Sequence, residues 1–344
     1  MLNGNWLKGL PGRAFERRRS ARAQVGVYRS AVHLIAARLR SEDNGAVVVE
    51  QLHGTPIGTG SDQEACQRLI HSGIFQKAAV VLALAPDQYT THSLPSPSVP
   101  DGEMREALRW QLREVLPYAP EDAVVDFIRL ARVAESSGPP GLLVVATPRR
   151  TVAHAVAPLL AAGIEVSAVD IPELAQRNLL ARLPGSGAGQ ALLSVDQSSG
   201  LLTVIANNEL CFARRILMPR ADVMEEEDPE HVAMRVATQI QRSVEVVERQ
   251  SGLPPVRTVW IGPHAYAALI SRCTAEQTGI DCPQLDLQAE LRFAAAVPLL
   301  APEMAAGALL AIGAALRSER ADTASIKATQ SVAPSWLARL KAAA

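Results

Sequence analysis

The stretch that most constrains the fold is residues 192–216, with the sequence LLSVDQSSGLLTVIANNELCFARRI. Three apolar runs are separated by two short polar turns, at residues 197–200 and 207–208. Apolar runs joined by such turns predict a β-hairpin that continues into a third strand. An acid at a strand end before a Ser/Gly-rich turn can offer backbone N–H groups to a phosphate and a carboxylate to its metal. The alternative is a surface hairpin in which Asp196 only caps the turn.

Composition argues against several classes of function. The 344 residues are enough for about two domains, and a hydrophobic fraction of 48% allows a large core. The net charge of −1 argues against binding to nucleic acid. The four cysteines and seven histidines are scattered, so we expect no metal site and a reducing compartment. We find no secretory signal peptide, and Pro298 and Pro302 interrupt the apolar stretch 293–316, which argues against a membrane span.

The order of apolar runs and turn residues predicts a mixed α/β protein. We expect a hairpin at residues 25–39, strands at 46–52, 78–85, 123–130, 142–147, 166–170 and 258–261, and helices at 62–70, 103–115, 151–162 and 171–183. Asp228 caps a long helix that begins at Pro229. Residues 89–101 predict a linker, residues 184–190 a hinge, and residues 291–316 a helix rich in alanine and leucine.

The two ends of the chain predict tails. Residues 1–24 are basic and weakly amphipathic, so they suit either contact with anionic lipid or a solvated arm. Residues 318–344 are polar and end in a short amphipathic piece.

Several stretches resemble one family in their order along the chain. They are MREALRWQLREVLPYAPEDAVVDF at residues 104–127, LLVVATPRRTVAHAVAPLLAAGIEVSAVD at 142–170, IPELAQRNL at 171–179, IQRS at 240–243 and AIGAALR at 311–317. Together they resemble the PilM/MshI family of type IV pilus biogenesis proteins, and residues 171–179 are similar to the branch that serves the mannose-sensitive haemagglutinin (MSHA) pilus.

The resemblance implies an α/β, bilobal, actin-like (ASKHA) fold with a small inserted α/β subdomain in the first lobe. It implies a first lobe at residues 25–190, an insertion at about 102–168 and a second lobe at 191–317. A strand that runs into Gly262 would bring backbone close to a ligand at the adenosine turn, although a plain tight turn explains that glycine equally well.

The same resemblance implies an ATP/Mg²⁺ site, with departures. The family's first phosphate turn has an acid and glycines, where this chain has YRSA at residues 28–31. Asp196 is retained in the second phosphate turn, but Ser198 replaces a glycine, with Ser199 and Gly200 following. The family's glycine-rich adenosine turn is reduced to Gly262 followed by proline and histidine. Because these losses limit close backbone approach, we expect weak nucleotide binding and little or no turnover, and we predict no catalytic residue.

The resemblance therefore implies a cytoplasmic scaffold, peripheral to the inner membrane, of an MSHA-like pilus biogenesis complex. Its expected partner is a PilN-like bitopic protein whose short cytoplasmic segment binds a groove of the first lobe. Trp110 and Tyr118 are candidate groove residues, with packing of buried aromatic rings as the alternative. The competing hypotheses are an active ATPase of the same fold and the cytoplasmic module of a GspL-like type II secretion protein; a GspL-like chain continues into a membrane span, which this sequence lacks.

Overall fold

The computed structural model describes residues 23–317 except 43, 58–61, 132–140, 186, 197–198, 219–227, 250–252, 296 and 299. The predicted tails at residues 1–24 and 318–344 therefore lie almost wholly outside the described residues. The described strands are β1 Ala23–Arg29, β2 His33–Ser41, β3 Val47–Pro56, β4 Ala78–Ala83, β5 Thr90–Pro95, β6 Ala123–Arg129, β7 Gly141–Pro148, β8 Val166–Asp170, β9 Gly189–Asp196, β10 Ser199–Ala206, β11 Glu209–Leu217, β12 Val256–Ile261 and β13 Arg292–Phe293.

Helices connect and cover these strands. The described α-helices are α1 Asp62–His71, α2 Met104–Gln111, α3 Arg149–Ala161, α4 Pro172–Leu180, α5 Pro229–Glu248, α6 Ala267–Thr278, α7 Leu287–Glu290 and α8 Ala305–Ala315, with single 3-10 turns at Pro86–Gln88, Pro120–Asp122 and Pro302–Met304.

Two of the sheets share one topology. The six-stranded sheet has the order β13-β3-β2-β1-β4-β8, and the four-stranded sheet has the order β11-β10-β9-β12. In each, three antiparallel strands are followed by a helix, α1 or α5, and by a fourth strand parallel to the first of the three. The predicted hairpins at residues 25–39 and 192–216 are both present and occupy equivalent places. The α/β actin-like fold that the resemblance implied is therefore confirmed.

Helix α8 joins the two halves. All of its residues from Ala306 to Ala315 are buried, and it packs in one core with residues of both sheets. A Cβ atom on Gly26 of β1 would overlap the Ala311 carbonyl oxygen, and one on Gly313 would overlap the Ala175 carbonyl oxygen of α4. The small residues of this helix therefore permit close backbone contact with both a strand and a second helix.

A third sheet lies in the inserted module, which we define as residues 90–161. Its strands have the order β5-β7-β6, and α2 covers one face through a core that contains Leu108, Leu142 and Val144. The end of this sheet touches the second half, because the Ala131 N–H donates to the Leu210 carbonyl oxygen of β11 at 2.7 Å.

Three predictions about individual stretches were wrong. The linker expected at residues 89–101 contains β5, which pairs with β7 along its whole length. The helix expected at 291–316 begins only at Ala305, because Pro298 and Pro302 interrupt the earlier part, where the chain forms β13 and a 3-10 turn. The end of the expected hinge at 184–190 belongs to β9, where the buried Gln190 side chain accepts a hydrogen bond from Trp260 Nε1 at 3.1 Å. None of the helices in the described part of the chain combines the length and hydropathy of a membrane-spanning segment.

Candidate functional site

The turn between β1 and β2 is held by its own side chains. The Ser30 hydroxyl accepts hydrogen bonds from the backbone N–H of His33 at 3.0 Å and of Val32 at 3.4 Å. Arg29 forms an ion pair with Asp62 at the start of α1, with Nε 3.1 and 3.0 Å from the two carboxylate oxygens, and its Nη1 donates to the Ser30 carbonyl oxygen at 3.4 Å. The position where the family has an acid and glycines is thus a serine-capped turn beside an arginine that already has a carboxylate partner.

The second predicted phosphate turn joins β9 and β10. Asp196 ends β9 and lies opposite Ser199 in the register of the two strands, while Ser198 and the side chain of Asp196 lie outside the described residues. Gly200 is buried, and a Cβ atom on it would lie 3.2 Å from the Ile216 carbonyl oxygen. Packing within the sheet therefore accounts for this glycine without a nucleotide.

Gly262 follows the end of β12 and lies beside Leu193 and Ser194 of β9. Because β12 runs parallel to β9, the residues that follow both strands lie at the same edge of the sheet. The Gly262 N–H donates to the Leu193 carbonyl oxygen at 2.7 Å, and a Cβ atom there would lie 2.9 Å from that oxygen. The glycine therefore permits close contact with β9, and its N–H already has an acceptor.

His264 shapes the rest of the same turn. Its Nδ1 atom accepts a hydrogen bond from the Tyr266 N–H at 3.2 Å, just before α6. Burial lowers the pKa of this histidine below its ordinary value. The imidazole is therefore a neutral structural acceptor.

The two candidate groove aromatics lie in different environments. Trp110 on α2 is 51% exposed, and its Nε1 donates to Glu106 Oε1 at 2.9 Å. Tyr118 packs its ring against the core of the inserted module, and burial raises the pKa of its phenol. Trp110 is therefore available to a partner, whereas Tyr118 is mainly a packing residue.

A cleft that the sequence did not reveal lies where the inserted module meets the six-stranded sheet. Helix α1 and the start of β2 flank one side, α3 flanks the other, and β1 and β4 form the floor. It encloses about 390 Å³ of empty space, part of it open to solvent. The apolar lining comes from Val27, Leu34, Leu82, Ala155, Pro158 and Leu159.

Polar groups lie at one part of the cleft wall. The Arg29–Asp62 ion pair and Gln88 also line it, and the ion pair is about one-third exposed. Cys66 lines the cleft too, but burial raises the pKa of its thiol to about 11, so the thiolate needed for a nucleophile is scarce at neutral pH. Among the described residues, no group of His, Cys, Asp and Glu is arranged to hold a metal ion. The lining of the cleft is therefore mainly apolar, with one ion pair and Gln88 as its polar groups.

Comparison with known proteins fits this architecture. The chain matches the sequence model of the family described as type IV pilus assembly protein PilM over residues 62–218. The chain is thus similar to PilM over a little less than half of its length. The matched region begins with α1, contains the whole inserted module and ends at β11, so both helices that flank the cleft lie within it.

Solved structures extend this likeness. A PilM–PilN type IV pilus biogenesis complex is similar over 86% of this chain and 98% of that chain, with a TM-score of 0.64 and 17% identity. The cytoplasmic domain of EpsL, an inner membrane component of the type II secretion system of Vibrio cholerae, covers 86% of this chain and 96% of that chain, with a TM-score of 0.47 and 14% identity. A Bacteroides thetaiotaomicron protein with an actin-like ATPase fold is similar over 85% of this chain and 96% of that chain, with a TM-score of 0.45 and 10% identity. A search of curated proteins gives no match.

The chain thus has two separate candidate sites. One is the edge of the four-stranded sheet at which β9 and β12 both end, to which the sequence assigned Asp196, Ser198, Ser199, Gly200 and Gly262. The other is the cleft, which sequence reasoning missed because its lining is apolar and comes from elements distant in the chain. The signal in the sequence that could have pointed to the cleft is the pair of oppositely charged residues Arg29 and Asp62, which are 33 residues apart.

Proposed function

We propose that this protein is a cytoplasmic scaffold of a type IV pilus biogenesis complex that binds a short segment of a PilN-like bitopic inner-membrane protein. The observation that carries the proposal is the PilM-family match, because the matched residues include both α1 and α3. The resemblance of residues 171–179 favours the MSHA-type branch. We further propose that the two lobes comprise residues 25–190 and 191–317, and that the tails add weak contact with the membrane surface.

We propose the cleft as the binding site for that segment. Apolar walls favour aliphatic side chains, and the Arg29–Asp62 pair offers both a donor and an acceptor to the backbone of an extended peptide. The occupant we propose is therefore an extended peptide that places an aliphatic side chain on this apolar lining. Trp110, and less directly Tyr118, form an alternative contact surface.

A matched pair of substitutions on α3 tests the site. Ala155 lines the cleft, whereas Ala157, two residues later, is exposed and is not part of the lining. We expect Ala155→Phe to weaken binding of a fluorescent peptide at least about tenfold, which corresponds to roughly 1.4 kcal/mol, and Ala157→Phe to leave it unchanged. The peptide is the cytoplasmic N-terminal segment of a PilN-like protein, and its binding is measured by fluorescence anisotropy.

Two other results would change the assignment. Loss of binding in Trp110→Ala but not in Ala155→Phe would move the site to the outer face of α2. Absence of binding by the wild-type protein, together with capture of a type II secretion component, would favour the GspL-like alternative.

A second candidate function is nucleotide binding at the edge of the four-stranded sheet. It is favoured by the parallel pairing of β9 and β12, which places the ends of both strands at one edge of the sheet. Against it, Gly200 and Gly262 are both explained by packing, and the β1–β2 turn has no glycine. We therefore propose that the scaffold role does not depend on ATP hydrolysis. Micromolar affinity for Mg·ATP that is lost in Asp196→Ala would overturn this view, and would identify Ser198 and Ser199 as the next positions to test.

A further inference from the structure

Three side chains from three parts of the chain meet at the beginning of α4. Tyr89 lies just before β5, at the start of the inserted module; Glu173 is in the first turn of α4; and Arg215 is on β11 of the second half. The Tyr89 hydroxyl donates to Glu173 Oε2 at 2.5 Å. Arg215 Nη2 donates to the Tyr89 hydroxyl oxygen at 2.5 Å and to Glu173 Oε1 at 3.3 Å.

Of the three side chains, the carboxylate of Glu173 is the most deeply buried. Glu173 is 1% exposed, and burial raises the pKa of its carboxyl while the Arg215 guanidinium opposes that rise. Burial also raises the pKa of the Tyr89 phenol, so that the hydroxyl remains a donor. Arg215 lies over the Tyr89 ring, with Cζ 5.2 Å from the ring centroid. A buried acid that has lost its donors is costly, so each member favours the position of the other two.

A second contact crosses the same boundary. The Ala131 N–H at the end of β6 donates to the Leu210 carbonyl oxygen of β11 at 2.7 Å, and Ala131 packs against the core of the second half. Both ends of the chain segment from Tyr89 to Ala131 are therefore attached to one strand, β11. Helix α3 follows β7 of the module directly, packs with α1 in the core of the six-stranded sheet and flanks the cleft.

We propose that Tyr89, Glu173 and Arg215 form a latch that fixes the inserted module against β11 and thereby sets the width of the cleft between α1 and α3. The latch couples the second half of the molecule to a cleft that β11 does not itself line. A change in the position of β11 is then transmitted through Tyr89 to the module. The effect on a bound peptide rests on the proposed function, whereas the latch itself does not.

Hydrogen exchange of the full chain without any partner tests the latch. In Arg215→Met we expect amides of β5, β6, β7 and Ala131 to exchange at least about tenfold faster, with those of β1 and β9 unchanged. The matched control is Arg105→Met, which removes an exposed ion pair with Asp126 of the same module, 3.0 Å apart. In the control, the exchange rates of all these amides should stay within twofold of those of the wild-type protein.

A milder variant keeps the test decisive if Arg215→Met does not fold. Tyr89→Phe retains the ring under Arg215 and removes only the hydroxyl, so the same amides should exchange faster by a smaller factor. Amide exchange that becomes equally faster in all three sheets, or that does not become faster in the inserted module, would overturn the proposal of a latch.

Peptide affinity then tests the coupling separately. If the wild-type protein binds the PilN-like peptide, Arg215→Met should change its affinity at least threefold although residue 215 lies outside the cleft. An unchanged affinity with faster exchange in the module would overturn the coupling. If the wild-type protein does not bind the peptide, the proposed function fails, and the exchange result still decides whether the latch exists.

Discussion

Single residues in this fold are constrained most strongly where backbones meet. Gly313 lies in α8, where alanine would normally stabilise a helix by up to about 1 kcal/mol relative to glycine. Here a Cβ atom would overlap the Ala175 carbonyl oxygen of α4, and neither backbone has room to withdraw in a buried core. Helix propensity therefore predicts that alanine at position 313 raises the stability of the protein, whereas packing predicts that it lowers the stability.

We predict that Gly313→Ala lowers the free energy of unfolding by about 3 kcal/mol or more, measured by urea denaturation. Gly307→Ala in the same helix is the matched variant. Its Cβ would meet the Cδ1 end of Ile35, a side chain that can rotate, so we expect a smaller loss. A stabilised Gly313→Ala variant would show that the contact between α4 and α8 is looser than the structure indicates.

His264 allows a prediction about pH at the residue scale. Because burial lowers its pKa in the folded protein, the unfolded chain binds a proton more readily when the pH falls below about 6.5. The stability that this histidine contributes is therefore fully present above pH 6.5 and is lost as the pH falls through the lowered folded pKa. In His264→Asn the amide oxygen can still accept from the Tyr266 N–H, but it does not titrate.

We expect His264→Asn to gain stability relative to the wild-type protein as the pH is lowered from 7 to 5. Urea midpoints at pH 5, 6, 7 and 8 measure the difference. His154→Asn, at an exposed position of α3, is the control and should follow the wild type. Parallel curves for the wild type and His264→Asn would contradict the prediction.

Whole elements show which sequence patterns carried information. The hairpins and the helix α5 were predictable because alternating apolar runs, turn residues and the Asp228 cap agree with one another. Strand β5 was missed because it is short, largely exposed, and bounded by Pro95, so its sequence resembles a loop. The length of α8 was overestimated because an apolar composition continues upstream of Ala305, where prolines prevent a helix.

The two candidate sites also differ in how far the sequence could predict them. Strands β9 and β12 were predictable from their apolar runs, and their parallel pairing places their carboxyl ends at one edge of the sheet. The cleft and the latch were not predictable, because their residues are ordinary apolar, Tyr, Glu and Arg side chains whose proximity depends on the packing of the inserted module.

The cap of α5 gives a prediction at the element scale. Asp228 Oδ1 accepts a hydrogen bond from the Glu230 N–H at 3.1 Å, and Pro229 occupies the first helical position. We expect Asp228→Ala to lower the free energy of unfolding by about 1 kcal/mol. Asp228→Asn keeps an acceptor in the same place and should recover most of that loss in thermal denaturation. An equal loss in both variants would mean that the charge, and not the hydrogen bond, stabilises the helix.

At the scale of the whole molecule, α8 makes the two halves interdependent. Its core includes residues of the six-stranded sheet, of α4 and of the four-stranded sheet, among them Tyr28, Leu179 and Leu192. Leu309 on this helix is fully buried, and its Cδ1 lies 3.5 Å from where a Gly262 Cβ atom would be. One side chain thus packs at the junction of both sheets, and we expect them to unfold together.

Leu309→Ala should therefore lower stability by about 2–5 kcal/mol, as large-to-small core substitutions do, and should do so equally for both halves. Hydrogen exchange in low denaturant measures this, with amides of β1 and β9 as reporters. Leu108→Ala, in the separate core of the inserted module, is the comparison and should accelerate exchange in β6 and β7 before it affects β1 or β9. If Leu309→Ala opened the four-stranded sheet alone, the halves would be independent folding units. A signal at the edge of that sheet would then reach the cleft through contacts such as the latch at Arg215 and not through α8.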